Sequence, residues 1–315
     1  MKVLVTRPMT DRATAAIRAA CDATFRDNTP LTVDQAGQAM RDYDAIIPTL
    51  GDAFGAEAFQ GDLRCRLLAN FGAGFNHIDI AAARAAGVAV TNTPDVVTDA
   101  TADIALTLML MVLRRASEGE RLLRAGGWTG WNPTQLLGAE MSGRTVGIVG
   151  MGRIGQAIAR RAHLGFGMEV VFFNRSTVAG LDFPARQIGD LRAMLAACHV
   201  AVIAVPGGAA TRGLIGAAEL EALGPQGVLV NIARGDVVDE DALIAALVDD
   251  RIAGAGLDVY AQEPHVPQAL LDAPNATLLP HLGTATDDTR TRMGLRALAN
   301  LQAHIDGGVP PDLVR

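Results

Sequence analysis

The sequence predicts an α/β protein built from two Rossmann-like units, each a doubly wound parallel sheet. Three observations carry that prediction. Short apolar runs alternate with helical-looking segments over the first hundred residues. A second series, from Arg144 onward, has near-continuous apolar runs of the kind that parallel strands show when buried on both faces. Within it, "TVGIVGMGRIGQAIARRA" sets a glycine-rich turn between an apolar strand and an apolar-periodic helix.

Taken in order, "KVLVT", "DAIIPT" and "LLANFG" read as the first strands, with alanine-rich helical spacing between them, as in residues 11–20. A long helix starts at Thr98, with Thr98 or Asp99 as its cap. It stays apolar to Leu113 and is predicted to run on to the glycines at 126 and 127. The loop "WTGWNPTQLLGAEMSG" then holds both tryptophans. "TVGIVG", "VVFF", "VAVIAVP", "GVLVNIA" and "AGAGLDVY" are the strands of the second series, and the last helix covers 287–305. No internal repeat or low-complexity tract interrupts the pattern. The expected plan is a split one: residues 1–98 with 286–315 form one domain, and 99–285 form the other.

Composition excludes several classes. Half of the 315 residues are hydrophobic, so a sizeable core is available. A formal charge of −7 and a pI near 5.4 argue against nucleic acid as a partner. The N-terminal apolar stretch is too short for a signal peptide and is followed by no small-residue cleavage site. The most apolar helical run, Ile104 to Leu113, falls well below the roughly 20 residues that span a bilayer. Cys21, Cys65 and Cys198 are scattered and have no metal-like spacing, which fits a reduced cytoplasmic protein without a metal. Of 27 basic residues only Lys2 is lysine. A phosphate-loop lysine, a Schiff-base lysine and a Tyr-x-x-x-Lys pair are therefore ruled out.

In the turn, Gly150 permits the tight bend, Gly152 lets the backbone approach a pyrophosphate, and Gly155 lets the helix pack on the strand. The phosphates then meet free N–H groups and the positive end of the helix dipole. The next strand ends in Asn174-Arg175-Ser176, and Asn174 stands 19 positions after Gly155. A carboxylate is expected near there when NAD is bound, on the ribose hydroxyls. An amide, a cation and a hydroxyl instead remove the repulsion toward a 2′-phosphate, and Arg175 supplies a partner for it. NADP(H) is thus the expected cofactor, with NAD(H) as the alternative.

Arg234 in "NIARG", Glu263 in "LDVYAQEP" and His281 in "LLPHLG" each follow an apolar run that reads as a strand. Carboxyl ends of parallel strands converge on one crevice, so the three can meet. Each alone is unremarkable, as His77, His163, His199, His265 and His304 illustrate.

Taken together with "LLANFGAGFNHIDIAAARAAGVAVTNTPDVVTDATADIAL" and the glycine turn, these pieces resemble the D-isomer-specific 2-hydroxyacid dehydrogenase family over essentially the whole chain. "GGWTGWNP", "GMGRIGQAIARRA" and "FFNRS" look most like its glyoxylate and hydroxypyruvate reductases.

The resemblance implies a flavodoxin-like substrate domain beside an NAD(P)-binding domain. It also implies a reductase of small 2-keto acids giving D-2-hydroxy acids. In it, His281 is the acid/base, Glu263 orients the ring and favours its charged form, and Arg234 grips the substrate carboxylate. By the same resemblance Leu50, Ala73 and Gly74 hold the substrate. Arg153 and Ile154 lie over the pyrophosphate, while Val205, Ile232 and Ala233 line the cofactor. Asp258 holds the nicotinamide carboxamide, and Gly283 sits beside the ring. The family pattern further implies a homodimer made through the long helix and the tryptophan loop, with Trp131 reaching the neighbouring site. Formate dehydrogenases carry glutamine where Glu263 stands, so Glu263 favours a 2-hydroxy acid. The remaining alternatives are a dinucleotide-sensing corepressor-like scaffold and a dehydrogenase of a bulkier 2-hydroxy acid.

Overall fold

The computed structural model describes residues 1–314. The chain divides into two compact units, Met1–Val97 joined by the chain from Thr284, and Thr98–Gly283.

The first unit runs β1 (Lys2–Val5), α1 (Asp11–Ala20), β2 (Asp22–Phe25), α2 (Val33–Asp42), β3 (Ala45–Ile47), a short 3₁₀ turn at Ala56–Phe59, β4 (Leu67–Ala69), α3 (Ile80–Ala85) and β5 (Ala89–Thr91). Thr32 caps α2 in a full capping box with Gln35, and Asp79 caps α3. The five strands are all parallel, in the order β2-β1-β3-β4-β5, the flavodoxin-like arrangement. β2 has the mixed pattern DATF of an edge strand and is only partly covered, which is why it carries no apolar run to read.

The second unit opens with α4 (Thr98–Leu113) and α5 (Ala116–Arg124). Here the expected single helix is corrected: it breaks at Arg115, which takes a left-handed conformation with φ of 51°. The Arg115 guanidinium holds Glu118 with two bonds of 2.8 and 2.9 Å, fixing the corner from which α5 restarts. The rest is β6 (Thr145–Val149), α6 (Arg153–Phe166), β7 (Glu169–Phe173), β8 (Arg186–Gln187), α7 (Leu191–Ala196), β9 (Val200–Ile203), α8 (Ala217–Leu223), β10 (Val228–Asn231), α9 (Glu240–Val248), β11 (Gly254–Leu257), α10 (Gln268–Asp272) and β12 (Ala276–Leu278). The seven strands are parallel in the order β12-β11-β10-β9-β6-β7-β8, with apolar cores on both faces. The order reverses between β6 and β9, the switch point where such sheets bind ligands.

The last helix, α11 (Asp287–Ile305), belongs to the first unit and packs its Ala297 and Leu301 into one of that sheet's two cores. Cys21, Cys65 and Cys198 are free thiols, and burial pushes Cys65 and Cys198 up to about 12. Among the described residues, no helix is long and apolar enough to cross a membrane.

Candidate active site

The glycine turn has the geometry its spacing promised. Gly150 takes φ of +100°, and a Cβ there would press on Val205 Cγ1 at 2.8 Å and the Ala204 carbonyl oxygen at 2.9 Å. A Cβ at Gly155 would run into the Gly150 carbonyl oxygen. These two glycines are therefore demanded by the fold itself. Gly152 is different: a Cβ there would meet no protein atom. Gly152 is also the N-cap of α6 and provides no side-chain cap, so the helix starts beside the open space above Gly152. A glycine that packing does not need, over an uncapped helix start, fits a bound pyrophosphate.

The neighbouring strand end is held from two sides. Asn174 Oδ1 accepts the Met151 N–H at 3.3 Å, and Asn174 Nδ2 donates to the carbonyl and hydroxyl oxygens of Ser176 at 3.0 and 3.1 Å. From β8, Gln187 Nε2 donates to the Asn174 and Ser176 carbonyls, while its Oε1 accepts Val178 N–H. Arg175 is exposed and has no hydrogen-bonded or ionic partner among the described residues. The segment is thus a braced loop with one free cation and no carboxylate.

Arg234, Glu263 and His281 come together in the same unit. Buried Asn231, at the end of β10, accepts Ala233 N–H at 3.0 Å and donates to the Arg234 carbonyl at 2.9 Å, which fixes the turn that carries Ile232, Ala233 and Arg234. A side chain at Gly235 would run into Tyr260 and Ala261, so only glycine lets this turn pack against the segment leading to Glu263. Tyr260 donates its hydroxyl to the Leu279 carbonyl at 2.9 Å, and its N–H donates to Glu263 Oε1 at 3.1 Å. Tyr260 therefore ties the Glu263 loop to the segment before His281.

His281 itself stands at φ of +55°, a left-handed backbone uncommon outside glycine that the neighbouring contacts hold in place. The constraint is visible. Buried Asp258 accepts the N–H groups of Leu282 at 2.6 Å and Gly283 at 2.8 Å, pinning the chain just past His281. Burial pushes the Asp258 carboxyl up, against those two donors and the nearby His281. The imidazole Nδ1 lies 2.7 Å from Glu263 Oε2, with both side chains about a third exposed. Burial raises the Glu263 carboxyl, but the His281 hydrogen bond, His281 charge, Tyr260 N–H and Arg234 outweigh it and hold it below the usual range. Burial lowers Arg234, opposed by Glu263 and Asp236. Arg234 Nη1 donates to the Ala233 carbonyl at 2.6 Å, and its Nε is buried without a partner among the described residues. A half-buried guanidinium with an idle donor is suited to an anion that the protein does not supply.

Of the other substrate-side candidates, Leu50, Ala73 and Gly74 lie in the first unit and Trp131 in the second. Leu50 is 43% exposed at the tip of a turn whose Gly51 has φ of +94°. Buried Asp52 ties that turn down, accepting Thr49 and Leu31 N–H at 2.9 Å and pairing with Arg7 at 2.7 Å. Ala73 and Gly74 sit in the half-buried loop after β4. Trp131 is 81% exposed, in a loop whose fold is braced by Trp128 Nε1 on Gln135. Asn231, Tyr260 and Gln187 escaped the sequence reading. Asn231 opens the "NIARG" run and was within reach, whereas nothing local marks Gln187.

Comparison with known proteins gives the family of the chain. Residues 106–283 match the model of the D-isomer-specific 2-hydroxyacid dehydrogenase NAD-binding domain. The chain is 42% identical to a glyoxylate reductase of Thermococcus gammatolerans, covering 88% of this chain and 84% of that one. It is 36% identical to a glycerate dehydrogenase of Hyphomicrobium methylovorum over 94% and 93% of the two chains. Among solved structures it superposes with a TM-score of 0.89 on the NADPH-dependent glyoxylate/hydroxypyruvate reductase of Sinorhizobium meliloti in complex with NADP and malonate. That pair is 37% identical, covering 99% of this chain and 96% of the other. The chain belongs to the D-isomer-specific 2-hydroxyacid dehydrogenase family, as an NAD(P)-dependent enzyme of its glyoxylate reductase branch.

Proposed function

We propose that this enzyme reduces glyoxylate, hydroxypyruvate or a similarly small 2-keto acid to the D-2-hydroxy acid, with NADPH preferred over NADH. The observation that carries the proposal is the 2.7 Å His281–Glu263 pair in the unit that also holds Arg234 with its buried, idle Nε. The bound nicotinamide supplies the hydride. Glu263 holds Nδ1, so the other ring nitrogen of the imidazolium gives its proton to the keto oxygen and recovers it in the oxidation direction. Arg234 grips the substrate carboxylate and polarises the carbonyl. In the other unit, Leu50 and the backbone of Ala73 and Gly74 hold the substrate.

On the cofactor side, Gly150, Gly152, Arg153, Ile154 and Gly155 take the pyrophosphate. Val205, Ile232 and Ala233 line the dinucleotide. Asp258 faces the carboxamide with lone pairs left over from its two backbone donors, and Gly283 is pinned beside it. The free Arg175, flanked by uncharged Asn174 and Ser176, is the reason to expect NADPH. The domain roles follow: Thr98–Gly283 binds the dinucleotide, and the unit built on Met1–Val97 binds substrate.

The tryptophan loop and α5 expose Leu123, Trp128, Trp131 and Leu137, an apolar surface suited to a homodimer, with Trp131 extended toward a neighbouring site. Sedimentation should give a dimer, and a monomer at micromolar concentration would remove this assignment.

The decisive assay follows NADPH absorbance on mixing with glyoxylate, hydroxypyruvate or phenylpyruvate. Consumption is expected with the first two, and no consumption with any of them would sink the proposal. His281→Ala should lower turnover by at least about a hundredfold, the usual scale of acid–base catalysis.

A further inference from the structure

We propose that Asn70 and Asn92 are positioning residues that aim the N–H groups of Ala73, Gly74 and Phe75 at the carboxylate of the substrate. The proposal rests on the 2-keto acid reading above and identifies what makes this loop an anion site.

The two asparagines stand in equivalent places. Asn70 follows β4 and Asn92 follows the adjacent parallel strand β5. Asn70 Nδ2 donates to the carbonyls of Gly72 and Gly74, both at 3.0 Å. Asn92 Nδ2 donates to the carbonyl between them, that of Ala73, at 2.8 Å. Three consecutive carbonyls are thereby drawn toward two side-chain amides.

A trans peptide points its C=O and N–H in opposite directions. Holding the Gly72 carbonyl turns the Ala73 N–H away from the clamp. Holding Ala73 turns the Gly74 N–H, and holding Gly74 turns the Phe75 N–H. None of these three N–H groups donates to another group among the described residues. Successive backbone donors left facing outward form a concavity for an anion, without any charged side chain.

Two details show that the donors of these asparagines are what matters. Asn70 is fully buried, yet its Oδ1 has no partner while its Nδ2 serves two carbonyls. An asparagine retained only for core satisfaction would not leave its acceptor idle. Asn92 is braced from behind. Its N–H donates to the Asp312 carbonyl at 3.3 Å, and Asp312 is gripped by Arg296 with two bonds of 2.6 Å and by Asn300 at 2.8 Å. The clamp is thus anchored on α11.

Among the described residues the Asn92 side chain makes a single bond, and Asn92→Asp turns that donor into a charged acceptor, with the uncharged Asn92→Leu as the control for repulsion of the substrate anion. Either change should release the Ala73 carbonyl and misdirect the Gly74 N–H. The expected result in both variants is a rise of at least about tenfold in KM for glyoxylate and in Ki for oxalate, with kcat within about threefold and NADPH affinity unchanged. A folded Asn92→Asp enzyme with wild-type KM and Ki would overturn the proposal.

A second readout does not depend on turnover. In ¹⁵N-labelled wild-type protein, oxalate should shift the amide resonances of Ala73 and Gly74, and Asn92→Asp should abolish those shifts. Amides that ignore oxalate in the wild type would also overturn it. Amides that respond in a protein inert toward glyoxylate and hydroxypyruvate would leave the clamp standing and remove the reductase reading instead.

Discussion

The turn at residues 150–155 and the loop at residues 70–75 both follow a parallel strand, and both offer backbone N–H groups. They aim them by different means. In the turn the helix does the aiming: once α6 starts, its first N–H groups point along the axis, and glycines are needed only to let the chain bend and pack. In the loop no helix begins at these residues, and two side-chain amides hold the carbonyls instead. A helix-built site writes itself into a local motif. A side-chain-built site scatters its determinants over positions 70 and 92.

The largest expected effect separates the glycines of the turn. Gly155→Ala drives a methyl into the Gly150 carbonyl oxygen and should cost about 3 kcal/mol or more, read as a lower denaturant midpoint at constant slope. Gly152→Ala meets no protein atom and should leave stability within about 0.5 kcal/mol while weakening NADPH. Equal stability losses at the two positions would mean that Gly152, too, serves packing.

Next in size is Arg175→Ala. One charged hydrogen bond to a 2′-phosphate contributes about 1.5–3 kcal/mol, so kcat/KM with NADPH should fall roughly ten- to hundredfold. NADH, which offers nothing for Arg175 to hold, should be nearly unaffected. A parallel loss with both cofactors would assign Arg175 to the fold of the loop that Gln187 braces.

Backbone anion sites do not titrate, so pH should act on the rate through Glu263 and leave oxalate binding flat from mildly acidic pH upward. Glu263 is held below the usual carboxylate range. Its contribution to the folded pair is present above the ordinary glutamate value, about 4.3, and is lost only as pH falls through the lower folded value. In Glu263→Gln the ring loses the anion that holds its Nδ1, and kcat for reduction should fall by at least about tenfold. A Glu263→Gln enzyme with wild-type kcat would show that the 2.7 Å contact does not orient the ring for proton transfer.

The same contrast explains what could be read from the sequence. The glycine turn, the runs ending near Arg234 and Glu263, and the last helix at Asp287–Ile305 are local patterns, and each was legible. The break at Arg115 was not, because the corner is made by a guanidinium–carboxylate pair without glycine or proline. β2 was missed because an edge strand with exposed positions lacks the apolar run of its buried neighbours. Gln187, Asn70 and Asn92 were missed for the reason that distinguishes the loop from the turn. Their partners are carbonyls up to 19 residues away, and no period or spacing in the chain marks such a pair.

The smallest expected effect falls on the loop itself. A Cβ at Gly72 would stand 3.2 Å from the Gly74 carbonyl oxygen and 3.4 Å from Asn70 Nδ2, tight enough that the clamp must yield by a few tenths of an ångström. Gly72 carries no left-handed φ, so Gly72→Ala adds no backbone strain. The methyl should loosen the Asn70 bonds and tilt the Ala73 and Phe75 N–H groups, raising KM for glyoxylate roughly threefold with kcat and stability near wild type. This is the counterpart of Gly155→Ala: the same added methyl destabilises a turn whose helix aims its donors, yet only detunes a loop whose donors are aimed by side-chain amides. A Gly72→Ala enzyme that loses stability but keeps its KM would show that the loop's glycine serves packing, and the distinction between the two sites would fail.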